Sequence, residues 1–227
     1  MLVKAEGIYK IYYDHQVATE ALRGIDFRME PGEFTAIFGP SGSGKTTLLN
    51  ILGGLDHPTQ GRVWLEDKEL TSLKQGELSR LRLFKIGFVF QSYNLIPVLT
   101  ALENVEYVLL LQRVPKKERI ERAQRLLEEL GLGDLIHKRP TEMSGGQQQR
   151  VAVARAIVHY PKLVLADEPT ANLDSKTAGD LMDLMRRLNQ ERGITFLFST
   201  HDKLVMERAR RLVELRDGQI VRDEIQG

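Results

Sequence analysis

The stretch from Gly39 to Thr47, with the sequence GPSGSGKTT, constrains this chain more than any other. It follows the apolar run 34–38 and precedes leucines at helical spacing, so the local order is strand, glycine-rich turn and helix. Backbone N–H groups in such a turn form a concave site for anions, and the positive end of the helix dipole points at the same place. The pattern therefore predicts a phosphate-binding loop, in which Lys45 reaches the β- and γ-phosphates of a nucleotide and Thr46 gives a hydroxyl to Mg²⁺.

The composition of the chain excludes several kinds of partner and site. The 227 residues carry a formal net charge of +1, which provides no basic excess for general binding to nucleic acid. The absence of cysteine excludes disulfides and thiolate metal sites and fits a reducing cytosol. The chain contains no apolar run of membrane-spanning length and no signal-peptide pattern at its start, so we expect it to act at a membrane only through a partner.

Two carboxylates follow the apolar run 162–166, which is typical of a strand buried in a parallel sheet. In a nucleotide-hydrolysing protein with a phosphate-binding loop, Asp167 would hold the hydration shell of Mg²⁺ and Glu168 would face the attacking water. The simpler interpretation of Glu168 is an acidic residue that opens a loop.

Gln91 and His201 also follow predicted strands, at 86–90 and 194–199. The carboxyl ends of parallel strands face the ligand crevice of an α/β fold. Gln91 is therefore a candidate ligand for a metal or water, with a structural role equally open. His201 is a candidate partner for a γ-phosphate, although a single histidine is more often structural.

The segment 144–147, with the sequence SGGQ, predicts a helix start in which Ser144 and Gln147 form a capping box. A capping box leaves Gly145 and Gly146 unexplained, since glycine in a first turn costs up to about 1 kcal/mol relative to alanine. Close approach of a ligand to the backbone explains them better, so the segment predicts a second anion-binding helix terminus.

Three further segments complete the sequence pattern. Charged amphipathic helices are predicted at 100–113 and 115–130, within the segment 92–141. Arg208, Arg210 and Arg211 are expected on a solvated helix face. Among the clustered tyrosines at positions 9, 12 and 13, one exposed ring is a candidate to stack on a purine, and packing on the sheet is an equal alternative for each.

Together these motifs resemble the ATP-binding cassette of ABC transporters over essentially the whole chain. The matching motifs are Walker A (39–47), the Q-loop Gln91, the signature SGGQQ (144–148), Walker B (163–167) followed by Glu168, the D-loop ANLD (171–174) and the H-loop His201. The phrases LGGLD (52–56) and LADEPT (165–170) look like the branch of lipoprotein-release, macrolide-export and cell-division complexes. Met143 stands where the signature usually has leucine, and Ala171 stands where this branch usually has glycine.

The resemblance implies a fold and a set of site residues. The fold is α/β, a P-loop NTPase core with a parallel sheet, an N-terminal antiparallel β subdomain and an inserted α-helical subdomain. The single domain 1–227 divides into a core (1–91 and 142–227) and the helical insertion (92–141). The implied ATP contacts are Tyr12, Gly39, Pro40, Ser41, Gly42, Ser43, Gly44, Lys45, Thr46, Thr47, Gln91, Ser144, Gly145, Gly146, Gln147 and Asp174.

Within that set the resemblance also implies roles. Tyr12 would stack on adenine, while Thr46, Gln91 and Asp167 would hold Mg²⁺. The implied catalytic residues are Lys45, Glu168 as general base or water positioner, and His201 at the γ-phosphate.

The resemblance further implies the partners. Two copies would pair head to tail, with segment 144–147 of one closing over ATP on the other and Asp174 linking the two sites. A groove beside Gln91 would receive a helix of a membrane permease, which would hold the chain on the cytoplasmic face of the membrane.

The motifs are compatible with more than one function. The first is an ATPase that drives export, or the extrusion of lipoprotein, peptide or macrolide. The alternative is an ATP-switched signalling module of a cell-division type of complex, which transport of a labelled substrate in reconstituted vesicles would distinguish. A soluble ATPase acting on DNA or ribosomes is disfavoured because the chain has neither a long coiled-coil insertion nor a second cassette.

Overall fold

The computed structural model describes residues 1–14 and 17–226. The strands are β1 (Val3–Asp14), β2 (Val17–Met29), β3 (Phe34–Phe38), β4 (Gln60–Leu65), β5 (Lys68–Glu69), β6 (Ile86–Val89), β7 (Leu163–Asp167), β8 (Thr195–Thr200), β9 (Arg211–Arg216) and β10 (Gln219–Ile225). The helices are α1 (Lys45–Leu52), α2 (Gln75–Lys85), α3 (Ala101–Leu111), α4 (Lys116–Glu129), α5 (Gly145–Ile157), α6 (Ser175–Arg192) and α7 (Lys203–Arg208).

The core sheet has the order β10-β9-β3-β8-β7-β6. All neighbouring pairs in it are parallel except β9 and β10, which form a hairpin. Alternate residues of the central strands point to opposite faces: Phe196 and Phe198 pack on one side and Leu197 on the other. Because both faces are buried, these strands are continuous apolar runs rather than alternating ones.

The second sheet is antiparallel, with the order β2-β1-β4-β5. Its inward residues Leu22 and Ile25 share a hydrophobic cluster with Ile37 of β3 and Leu48 of α1. This sheet therefore covers the face of the core sheet on which the helix after the glycine-rich loop lies. The predicted combination of parallel core, antiparallel β subdomain and helices is confirmed.

Helices α3 and α4 lie between β6 and α5 in the chain and pack on each other and on α5, in the hydrophobic cluster on the opposite face of the core sheet. Thr100 caps α3 by accepting a hydrogen bond from the Glu103 amide (3.2 Å), and the Glu103 carboxylate accepts one from the Thr100 amide (2.8 Å). The residues buried on α4 include Ala123 and Leu127, as its amphipathic pattern predicted. The exact division at 92–141 remains a prediction.

The expected solvated helix face at Arg208, Arg210 and Arg211 is wrong for Arg211, and Arg210 is exposed but lies after the end of the helix. Helix α7 ends at Arg208, and Arg211 is the first residue of β9. Its guanidinium donates to both carboxylate oxygens of Asp223 (2.8 and 2.7 Å) and to Glu33 (2.9 Å). Hydrogen bonds to Asp223 and Glu33 raise the pKa of Arg211 above its usual value, so a permanently charged side chain joins β9 to β10 and to the residue before β3.

Strand β6 and helix α5 pack closely at Gly87. A Cβ at this position would lie 2.1 Å from the carbonyl oxygen of Ala156, which is backbone and unable to rotate away. Overpacking of this kind costs about 1–3 kcal/mol. We therefore expect Gly87→Ala to lower the free energy of unfolding, measured by urea titration, by at least about 1 kcal/mol.

Gly76 provides the matched control, because it lies in the first turn of α2 and a Cβ there would meet nothing within 4 Å. Gly76→Ala should raise the free energy of unfolding by up to about 1 kcal/mol. Equal stability of Gly87→Ala and the parent would show that the contact between β6 and α5 relaxes freely.

Candidate nucleotide-binding site

Four strand ends bring the predicted site residues to one edge of the core sheet. The registers pair Phe38 with Thr200, Asp167 with Ser199 and Val89 with Ala166, so strands β3, β8, β7 and β6 end nearly level. The glycine-rich loop, His201, the two carboxylates and Gln91 follow these ends. Parallel pairing thus places four segments distant in sequence in one row, as the strand-end argument predicted.

Lys45 lies inside the loop that precedes it. Its side chain is buried, and Nζ donates to the carbonyl oxygens of Gly39 (2.8 Å) and Pro40 (2.9 Å). Gly44, the residue before α1, has φ 103°, and a Cβ on it would lie 2.6 Å from the Ala21 carbonyl oxygen. The loop therefore requires glycine there, and it holds an ammonium ready to exchange carbonyl partners for phosphate oxygens.

The hydroxyl of Ser43 is a second polar group in the same loop. Its Oγ is buried and has no hydrogen-bond partner among residues 1–14 and 17–226. A buried hydroxyl without a partner is costly, which is typical of a site that a ligand completes. The loop thus fits an anionic ligand in its geometry and in its unpaired donor.

Thr46 and Asp167 face each other across the ends of β3 and β7. The hydroxyl of Thr46 lies 3.1 Å from each carboxylate oxygen of Asp167. The described part of the chain contains no group of three or more histidine, aspartate or glutamate side chains that could hold a metal alone. This hydroxyl and carboxylate instead suit Mg²⁺, which takes most of its ligands from phosphate and water.

Glu168 is held in a strained position at the end of β7. Its φ of 45° is in the left-handed region that non-glycine residues seldom adopt, and its amide donates to the Ser199 carbonyl (2.8 Å). The Thr200 hydroxyl and the His201 amide lie 3.3 and 3.4 Å from Oε2. These contacts aim the carboxylate at the edge where the glycine-rich loop lies.

His201 lies 2.7 Å from Oε1 of Glu168 through Nδ1. The histidine side chain is 70% exposed, whereas that of Glu168 is 13% exposed. When Nδ1 donates to the carboxylate, Nε2 can also donate to a phosphate only if the ring carries both protons. The contact therefore holds the histidine ring beside the carboxylate.

Tyr12 lies beside Thr47 at the start of α1, with its ring partly exposed. Its hydroxyl donates to Asp56 (2.8 Å), and Nζ of Lys10 lies 4.8 Å from the ring centroid. Burial raises the pKa of Tyr12, so the phenol stays neutral. Burial alone would raise the pKa of Asp56, but hydrogen bonds from Lys10, Tyr12 and the His57 amide bring it below its usual value. An aromatic ring is thus fixed close to the phosphate-binding loop.

The capping box at Ser144 and Gln147 is present, with reciprocal contacts of 3.3 and 2.9 Å. Close approach of a ligand is not the only reason for glycine at the two intervening positions. A Cβ on Gly145 would lie 2.7 Å from the Tyr93 hydroxyl, and one on Gly146 would lie 2.3 Å from Cγ2 of Thr177. A Cβ at either position would therefore displace a neighbouring side chain, so packing inside the chain also favours glycine.

The neighbours of this helix start do not include the glycine-rich loop. The atoms nearest to a Cβ at Gly145 or Gly146 belong to Tyr93, Asn172 and Thr177. Within the described ranges, no hydrogen bond joins segment 144–147 to segment 39–47. In the part of the chain that the structure describes, the two predicted anion-binding features are thus not joined by hydrogen bonds.

Asp174 and Gln91 are connected to the rest of the site through the chain itself. Asp174 caps α6, accepting from the Thr177 hydroxyl (2.6 Å) and from the amides of Lys176 and Thr177, and these hydrogen bonds lower its pKa. Gln91 is exposed, and its carbonyl accepts a hydrogen bond from Asn172 Nδ2 (2.9 Å). Sequence reasoning missed Asn172 and Thr200, although each stands inside or next to a motif that it used.

A family model described as ABC transporter matches residues 22–171. The chain belongs to the ABC transporter family. The cassette is 52% identical to an uncharacterized ABC transporter ATP-binding protein of Thermotoga maritima, over 94% of this chain and 91% of that protein. It is 48% identical to the lipoprotein-releasing system ATP-binding protein LolD of Anaeromyxobacter dehalogenans, over 97% and 93%.

Two further comparisons set the context of the cassette. It is 50% identical to the macrolide export ATP-binding/permease protein MacB of Brucella melitensis, over 98% of this chain but only 34% of that longer protein. A dimeric structure of the cassette MJ0796, in a post-hydrolysis state with ADP and Pi, matches with a TM-score of 0.93, 43% identity and full coverage of both chains. The cassette is thus an ATP-binding subunit and an ATPase of this family, as the motifs indicated.

Lys45 provides the direct test of the phosphate-binding loop. Lys45→Ala removes a charge-assisted hydrogen bond to phosphate, which contributes about 1.5–3 kcal/mol. We therefore expect MgATP binding, measured by calorimetry, to weaken at least about tenfold. Lys117→Ala, at an exposed position of α4, should bind MgATP as the parent does. Unchanged affinity in Lys45→Ala would refute the assignment.

Proposed function

We propose that the cassette works as a homodimer that closes on ATP, with each nucleotide held between the loop 39–47 of one copy and the helix start 144–147 of the other. The observation that carries this proposal is the separation of the two anion-binding features within one chain. A site completed by a second copy uses both features, whereas a site within one chain leaves 144–147 without a ligand. The dimeric state of the related cassette MJ0796 supports the same arrangement.

The hydrolytic step follows from the residues at the sheet edge. Thr46 and Gln91, and Asp167 through water, would hold Mg²⁺, which would supply positive charge against the transferred phosphate. Glu168 orients a water in line with the γ-phosphate, and Lys45 and His201 contact the phosphate oxygens. Catalysis by such a set comes from positioning and charge stabilisation, and the short contact between Glu168 and His201 supplies the positioning.

We further propose that ATP closure drives a separate membrane permease, with the cassette bound at the cytoplasmic face. Among the helices described, none is long and apolar enough to cross a membrane. MacB carries ATP-binding and permease parts in one chain, and LolD belongs to a lipoprotein-releasing system. By similarity to these proteins, the process that the cassette drives is export, or the extrusion of a lipoprotein, peptide or macrolide.

The permease has a candidate docking groove beside Gln91. A cavity of about 530 Å³ lies between α2, β6, α3 and α5, and its lining is mostly apolar. Leu55 and Leu111 at its margin are 46% and 51% exposed. Phe90 and Asn94, on either side of Gln91, line the same cavity. A helix of the permease seated here would cover exposed apolar surface next to a metal ligand.

Glu168→Gln tests the hydrolytic role. The amide retains the shape of the side chain but cannot act as a base, so we expect ATP binding to persist while turnover falls by about 100-fold or more. The same variant should elute as a dimer with ATP and as a monomer without it, measured by size-exclusion chromatography with light scattering.

Ser144→Arg in the Glu168→Gln background is the control for the dimer. It should still bind ATP through the loop 39–47 but remain a monomer, because its bulky side chain stands at the helix start that faces the second copy. Turnover of Glu168→Gln at the parental rate would refute the role of the carboxylate. An ATP-bound monomer of Glu168→Gln would refute the shared site.

The docking groove can be tested because the chain contains no cysteine. Leu111→Cys introduces one unique thiol at the margin of the groove. In native membranes we expect a thiol cross-linker to join it to a protein that mass spectrometry identifies as a multi-span permease. Lys117→Cys, on the exposed side of α4, should give no such product. Equal labelling of the permease from both positions would contradict docking in the groove.

A further inference from the structure

The loop that carries Gln91 adopts an unusual backbone. Gln91 and Ser92 are the central residues of a turn closed by a hydrogen bond from the Tyr93 amide to the Phe90 carbonyl (3.1 Å). Tyr93 and Asn94 then both have positive φ, 61° and 49°. Left-handed conformations cost non-glycine residues about 1–3 kcal/mol each, and they persist only where the surroundings fix them. Something in the fold must therefore hold this loop.

Arg155 of α5 makes the contacts that do so. Its Nη2 donates to the Tyr93 carbonyl (2.8 Å), and its Nη1 donates to the Asn94 carbonyl. Within residues 1–14 and 17–226, Arg155 is the only donor to either oxygen. One planar guanidinium thus binds the two consecutive carbonyls of the left-handed pair, in a geometry that its fixed fork of donors allows.

The backbone of α5 at Arg155 is packed closely against β6. The next residue, Ala156, packs so closely on β6 that a Cβ on Gly87 would lie 2.1 Å from its carbonyl oxygen. Strand β6 leads directly into the turn that contains Gln91. The turn is therefore held at its start by β6, which packs on α5, and at its end by the guanidinium of Arg155 on the same helix.

We propose that Arg155 is a positioning residue for the metal ligand Gln91. It acts by holding the carbonyls of Tyr93 and Asn94, so that the turn presents the Gln91 amide at the sheet edge where Thr46 and Asp167 lie. Because Arg155 also lines the docking groove, the same side chain connects the permease surface to the metal site. This inference rests on the proposed function of Gln91 as a ligand of Mg²⁺.

The inference predicts a specific defect in metal-dependent binding. The measurement is the affinity for an ATP analogue with a β,γ-imido bond, determined by calorimetry with Mg²⁺ and again with EDTA. In Arg155→Met we expect the gain in affinity due to Mg²⁺ to fall about tenfold, as when a residue that orients a metal ligand is lost. Affinity in EDTA should stay at the parental value. Arg155→Lys, which keeps one donor group, should lose less and so partly rescue the effect.

Arg150→Met is the matched control. Arg150 lies on the same helix and also donates to a carbonyl, that of Leu130 (3.3 Å), at the end of α4. It should leave the Mg²⁺-dependent gain unchanged. An equal loss in Arg150→Met and Arg155→Met would show a general effect of weakening α5 and would overturn the inference.

Gln91→Ala and the double variant separate the inference from the proposed function. If Arg155 acts through Gln91, the variant with both changes loses no more Mg²⁺-dependent affinity than Gln91→Ala alone. Additive losses would overturn the inference. A loss in Gln91→Ala but none in Arg155→Met or Arg155→Lys would overturn it and leave the role of Gln91 intact. No loss in any of them would refute the metal role of Gln91 and the inference with it.

Discussion

The site depends on the parallel pairing of four buried strands. Each strand contributes apolar residues to both faces of the sheet, so a shift of register by one residue would exchange the two hydrophobic cores. The pairing of Asp167 with Ser199 and of Phe38 with Thr200 is fixed by that packing. The polar residues after each strand then meet without needing any affinity for one another. Hydrophobic burial thus sets the position of Asp167 and Glu168, and their local hydrogen bonds set the orientation of the carboxylates.

Much of this arrangement could be predicted from the sequence because strand ends and turn residues leave local signals. The glycine-rich loop, the capping box at Ser144 and the run before Asp167 all follow such signals, and the structure has them where they were predicted. Arg155 and Arg211 left no signal of that kind. Their partners are 61 and 12 residues away in sequence, and only the packed fold brings them together. The sequence therefore suggested a solvated helix face for Arg211, where the structure has specific contacts, and it gave no expectation for Arg155.

The glycines of the signature show why one residue type can serve two requirements. Sequence reasoning ascribed Gly145 and Gly146 to a ligand, and the structure adds Tyr93 and Thr177 as neighbours that leave no space for a Cβ. Tyr93 belongs to the loop after Gln91, and Thr177 belongs to the helix that Asp174 caps. The helix start is thus in van der Waals contact with two other parts of the site. Movement of any one of them requires the others to adjust.

Part of the backbone strain lies at the candidate site. Of the seven non-glycine residues with positive φ in the described ranges, three lie at the site: Tyr93, Asn94 and Glu168. At about 1–3 kcal/mol each, their strain is comparable with a sizeable part of the 5–15 kcal/mol that keeps a domain folded. Hydrogen bonds from Arg155 offset it in the loop, and contacts with Ser199, Thr200 and His201 offset it at Glu168. Because those contacts come from α5 and from the end of β8, a displacement of either element would change the support of the loop after Gln91 or of the Glu168 carboxylate. A partner bound in the proposed docking groove would contact Arg155 and Ala156 of α5 and so could cause such a displacement.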